Sequence, residues 1–94
     1  MGKVKVDGEK KSHKVFLYTL STCGWCKKTK QFLRDNKVEY EYLDFDTASH
    51  DERNAAAADI NKRGIRMAFP IVLVDDKKCI VGFMVDSMKE ALDL

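Results

Sequence analysis

V-F-L-Y-T-L-S-T-C-G-W-C-K-K, residues 15–28, carries two local signals in immediate succession. Residues 15–20 are a short β-branched and aromatic run, the pattern of a strand buried on both faces. Ser21 and Thr22 then offer capping hydroxyls, and a helix is expected to open near Cys23. On that helix Cys26, Thr29, Phe32 and Leu33 share one face, while Lys27, Lys28, Lys30 and Arg34 fall on others. Asp35 and Asn36 close it. A buried strand feeding a helix opens an α/β domain, and the turn between them holds a Cys-x-x-Cys pair.

The same reading extends along the chain. V-E-Y-E-Y-L-D-F-D, residues 38–46, alternates as a second strand. Ser49 followed by Glu52 is a capping-box pattern, opening an alanine-rich helix to about Arg63 with Gly64 as its stop. Within F-P-I-V-L-V-D-D-K-K-C-I-V-G (69–82), residues 71–74 and 79–81 read as strands joined by a tight turn at 75–78. Asp86 or Ser87 is expected to cap a last helix reaching Leu92. The order is β-α-β-α-β-β-α. A right-handed crossover makes the first two strands parallel, and the closing hairpin is antiparallel. This predicts an α/β fold with a four-stranded mixed sheet flanked by helices. One domain, residues 14–94, accounts for the pattern. Residues 1–13 read as a flexible basic leader, in which V-K-V-D-G could form a short extra strand.

Composition narrows the function. The chain has 94 residues, 45% of them hydrophobic, enough for one compact core. Its net charge of +2 comes from residues 1–14, where Lys3, Lys5, Lys10, Lys11 and Lys14 outnumber Asp7 and Glu9. A basic tail on a near-neutral domain reads as solvated, so no nucleic-acid partner is expected. No apolar run approaches the roughly 20 residues that span a bilayer, and no apolar signal core stands at the amino terminus. A cytoplasmic protein without a membrane partner is expected. Three cysteines are an odd and sparse count for a disulfide scaffold, consistent with a reducing compartment.

A Cys-x-x-Cys pair can hold a metal, close a structural disulfide or exchange disulfides. Structural zinc takes four ligands, and Cys79, His13 and His50 stand at no ligand spacing from the pair. A cluster shared between two chains through Cys23 stays open as an alternative, as does a redox-inert binding module. Exchange fits the pattern best. Backbone N–H groups at a helix start favour an anion, and the thiolate is the attacking species in disulfide exchange. Cys23 is therefore the expected nucleophile. Cys26, about a turn further on and nearer the core, is placed to resolve the mixed disulfide. Gly24 keeps backbone bulk low, and Trp25 offers an apolar wall. Cys79 reads as a small core hydrophobe, the histidines as surface residues, and Phe16 and the tyrosines as core.

With the strand–CxxC–helix opening, R-M-A-F-P (66–70) and V-G-F-M-V-D (81–86), residues 15–92 resemble the glutaredoxin family of the thioredoxin-like fold. The resemblance implies a dithiol oxidoreductase with no tightly bound cofactor, acting on protein disulfides, and a monomer is expected. It implies that Pro70, the sole proline, is cis and lies beside the cysteines, so that the Phe69 backbone can pair with an extended substrate. Arg66 and Asp86 are its candidate contacts for glutathione, and Gly82 is a candidate substrate-binding residue. Three positions depart from the family pattern: Leu20 stands where glutathione users carry lysine, Ala68-Phe69-Pro70 replaces T-V-P, and Val81-Gly82 replaces two glycines. V-G-F-M-V-D is nearer to the glutaredoxin-like redoxins that serve ribonucleotide reductase and draw electrons from a flavoprotein disulfide reductase. Ribonucleotide reductase thus becomes a candidate substrate. Such a flavoenzyme and glutathione are the candidate electron sources. Leu20, Trp25 and Phe69 would form an apolar site suited to a protein surface.

Overall fold

The computed structural model describes residues 3–94. Five strands, β1 (Lys3–Val6), β2 (Val15–Thr19), β3 (Tyr40–Asp44), β4 (Ile71–Val74) and β5 (Lys78–Val81), lie in the order β1-β3-β2-β4-β5. Helices α1 (Gly24–Asp35), α2 (His50–Lys62) and α3 (Val85–Leu92) complete the elements of the described residues. β2 and β3 are parallel across α1, and the other strand pairs of the sheet are antiparallel. This is the thioredoxin-like α/β architecture, with one more strand than the four expected.

The alternation of side chains along each strand divides the core. Val15 and Leu17 of β2 face the same way as Tyr40 of β3 and Val72 and Val74 of β4. They pack with Leu33 of α1 and with Met88, Ala91 and Leu92 of α3. Tyr18, Leu43, Ile71 and Leu73 point to the other side and pack on Ala48, Ala56 and Ile60 from α2 and its approach. The Ser49 and Glu52 capping box forms as expected at the start of α2. Among the described residues no helix is long and apolar enough to cross a membrane.

Three local expectations are corrected. Part of the expected flexible leader is paired: β1 lies along β3, and Lys10 exchanges backbone hydrogen bonds with Lys37 and Glu39 at 2.8 and 3.0 Å. Gly8 permits this approach, since a Cβ there would stand 2.6 Å from the Glu39 nitrogen. The last helix begins at Val85 with Met84 at the N-cap and no side-chain cap, so neither Asp86 nor Ser87 caps it. Burial of Met88, Ala91 and Leu92 holds α3 in place instead, as packing outweighs capping in short helices. Cys79 is exposed, not in the core, because β5 is an edge strand at the rim of the sheet.

Candidate active site

The carboxyl end of β2 delivers the chain to the cysteines. After Thr19 the backbone turns through Leu20, Ser21 and Thr22, and Cys23 becomes the N-cap of α1 with extended φ and ψ of −83° and 117°. Its backbone N–H donates to the Leu20 carbonyl at 3.2 Å. The Cys23 sulfur takes the part that a serine or threonine hydroxyl usually plays, accepting the Cys26 backbone N–H at 3.2 Å. Ser21, expected as a capping hydroxyl, is engaged elsewhere. Its N–H and Oγ both donate to Asp46, at 2.9 and 2.6 Å, tying the turn to the loop after β3. These donors hold the Asp46 carboxyl below its ordinary range.

The two thiols occupy different surroundings. Cys23 is half-buried, whereas Cys26 is 0% exposed beneath the first turn. Burial raises the Cys26 thiol well above its ordinary value, and the Cys23 sulfur beside it raises it further. A buried, protonated thiol thus sits directly behind one that reaches solvent.

Beside them lies a shallow groove of about 220 Å³ lined by Trp25, Phe69, Pro70, Gly82 and Phe83. Trp25 is 58% exposed and stacks on Phe83 with centroids 5.9 Å apart, while the Lys28 ammonium lies 4.7 Å from its ring. Phe69 leans on Phe45 at 5.6 Å. The Phe69-Pro70 peptide is cis. Gly82, at φ +92°, donates its N–H to the Pro70 carbonyl at 2.7 Å, fixing the two sides of the groove to each other.

Of the residues singled out from the sequence, Trp25, Phe69, Pro70 and Gly82 meet in this groove. Leu20 is half-buried in the turn behind Cys23, and Arg66 and Asp86 are exposed; none of these three lines the groove. Phe83 does line it and was missed, although its place directly after Gly82 in an otherwise aliphatic run was a usable signal. Met67 and Met84, near the lining residues in sequence, are 48% and 52% exposed. Asp46 was also missed, and nothing in the local sequence marks it as a partner of Ser21. Among the described residues no three His, Cys, Asp or Glu side chains gather so as to hold a metal ion.

The model of one protein family, described as Glutaredoxin, matches residues 15–80. Among solved structures, the glutaredoxin from Methanosarcina mazei Go1 superposes with a TM-score of 0.84 at 33% identity, covering 100% of this chain and 90% of that one. Methanoredoxin from Methanosarcina acetivorans superposes with a TM-score of 0.77 at 37% identity, over 86% of this chain and 85% of that one. The Gene 56 protein of Mycobacterium phage D29 is 29% identical over 80 residues, which are 84% of this chain and 82% of its own length.

Proposed function

The chain belongs to the glutaredoxin family of thiol–disulfide oxidoreductases, and on that premise we propose that it reduces protein disulfides by a dithiol route through Cys23 and Cys26. The Cys23 thiolate attacks a substrate disulfide. A bond forms between the Cys23 sulfur and one substrate sulfur, the substrate S–S bond breaks, and the departing sulfur leaves with the electron pair and takes up a proton. Cys26 then gives up its proton and attacks the Cys23 sulfur, releasing the second substrate sulfur as a thiol. The substrate gains two electrons, and the protein is left with a Cys23/Cys26 disulfide that an external reductant must reopen.

One observation carries this reading: the Cys23 sulfur is the N-cap of α1, accepting the Cys26 N–H at 3.2 Å, with the Cys26 thiol buried behind it. The helix start favours negative charge on the outer sulfur, and burial keeps the inner one protonated until the mixed disulfide has formed. The groove supports a substrate bound as an extended segment along the Phe69 backbone, with apolar side chains against Trp25 and Phe83. The groove, whose lining of Trp25, Phe69, Pro70, Gly82 and Phe83 carries no cation, favours a flavoprotein disulfide reductase over glutathione as the electron source. Ribonucleotide reductase is one target of the right class. The test is Cys26→Ser, which should retain attack but lose release. Covalent complexes with protein substrates should accumulate on non-reducing gels, and Cys23→Ser should form none. Complexes trapped by Cys23→Ser instead would reverse the two roles.

A further inference from the structure

The dithiol route leaves one physical problem: Cys26 must become negative in the least solvated part of the site. Lys30, assigned by the sequence pattern to another face of α1, follows Cys26 by four residues and so is its neighbour one turn further along the helix. Its side chain is only 15% exposed, unusual for a lysine, a residue seldom buried unless paired. The ammonium is 3.3 Å from Asp44 Oδ1 and 3.7 Å from the centroid of the Tyr42 ring. Asp44 is itself fixed by the hydroxyl of the fully buried Thr19, which donates to it at 2.7 Å. Thr19 and Asp44 face each other across the parallel β2–β3 pair, so the cation is anchored to the sheet on which α1 packs. Lys27 and Lys28 are exposed, and solvent screens them.

We propose that Lys30 is a positioning residue for the resolving half of the exchange: its ammonium, held under α1 by Asp44, stabilises the negative charge that Cys26 acquires as it attacks the mixed disulfide. The proposal rests on the dithiol reading above. Burial and the Cys23 sulfur oppose ionisation of Cys26, whereas a hydrogen bond with the Leu20 backbone and, more weakly, the charge of Lys30 favour it. In the step itself the Cys26 sulfur bonds to the Cys23 sulfur and the bond from Cys23 to substrate breaks. The substrate sulfur leaves with the electron pair and takes up the proton that Cys26 gave up. Lys30 keeps its own proton throughout. A purely structural ion pair would hold α1 to β3 without affecting either half-reaction selectively.

The two halves can be timed separately with dithiobis(nitrobenzoate) in a Cys79→Ser background, which removes the exposed third thiol. Attack by Cys23 releases one coloured thionitrobenzoate, and resolution by Cys26 releases a second. Lys30→Gln keeps a donor for Asp44 but removes the charge. A tenfold loss of thiolate is offset about threefold by the greater nucleophilicity of a more basic thiol. The ratio of the second rate to the first should therefore fall by about three- to tenfold. Lys30→Arg should restore it, and Lys30→Met, if folded, should behave like Lys30→Gln. An unchanged ratio in Lys30→Gln, or failure of Lys30→Arg to restore it, overturns the role of Lys30. Failure of the underlying reading has its own signature: Cys26→Ser would release the second thionitrobenzoate as fast as the parent, which overturns both.

Discussion

Gly82→Ala separates the backbone requirement of the groove from its shape. Gly82 sits at φ +92°, a region that costs an L-residue roughly 1–2 kcal/mol, and its N–H donates to the Pro70 carbonyl at 2.7 Å. A Cβ built there meets nothing within 4 Å, so no steric term is added. Alanine also restricts the unfolded chain, which offsets about 0.4–1 kcal/mol of that cost. The net loss is about 1 kcal/mol, or a fall in Tm of about 4–8 °C for a domain of this size. Because Gly82 lines the groove, the space open to the new methyl is space a substrate would use. We expect KM for a protein disulfide to rise severalfold while kcat, set by the two cysteines, stays near its original value. Thermal unfolding followed by circular dichroism and insulin reduction at varied substrate concentration measure the two effects. A variant with unchanged Tm would refute the backbone argument, and one with lowered Tm but unchanged KM would remove Gly82 from the substrate path.

Other outcomes follow from the same geometry. Brief alkylation of the reduced protein at neutral pH should label Cys23 first, the exposed Cys79, which stands at no helix start, more slowly, and the buried Cys26 last; equal labelling by mass spectrometry would remove Cys23 as nucleophile. Leu20→Lys adds a cation in the turn before Cys23; if its longer side chain reaches a glutathione carboxylate, glutathione-dependent turnover should rise by up to about ten- to a hundredfold, the worth of one charge-assisted hydrogen bond of roughly 1.5–3 kcal/mol. Rapid turnover of the unaltered protein with glutathione, not raised by the lysine, would refute that expectation. His13 donates toward Asp75 and Asp93 at 2.7 and 3.0 Å, and these carboxylates raise its pKa, Asp75 the more strongly. Its stabilisation is fully present below the unfolded value of about 6.5 and is lost as pH rises through the raised folded value. Tm should therefore fall more steeply above about pH 6.5 in the native protein than in His13→Gln, and parallel curves would show that the contact does not contribute.

Sequence alone determined what depends on neighbours a few residues apart. The run at 15–19 is a strand because it is an unbroken series of β-branched, aromatic and aliphatic residues, and Ser49 with Glu52 closes a box because both partners lie within one turn. The placement of Cys23 at the head of α1 and of Cys26 on its inner face followed from the same short-range periodicity. Tertiary structure decided whatever depended on distant pairing. V-K-V becomes β1 only because the outer edge of β3 is there to receive it, and Cys79 is exposed only because β5 ends the sheet. Asp46 reaches Ser21 across 25 positions of sequence, and Lys30 turns inward because Asp44 and Tyr42 wait on a strand that α1 crosses. A periodic pattern states which face of an element is apolar. Which element meets that face, and which polar groups are left between them, is set by sheet order, and no local pattern encodes it.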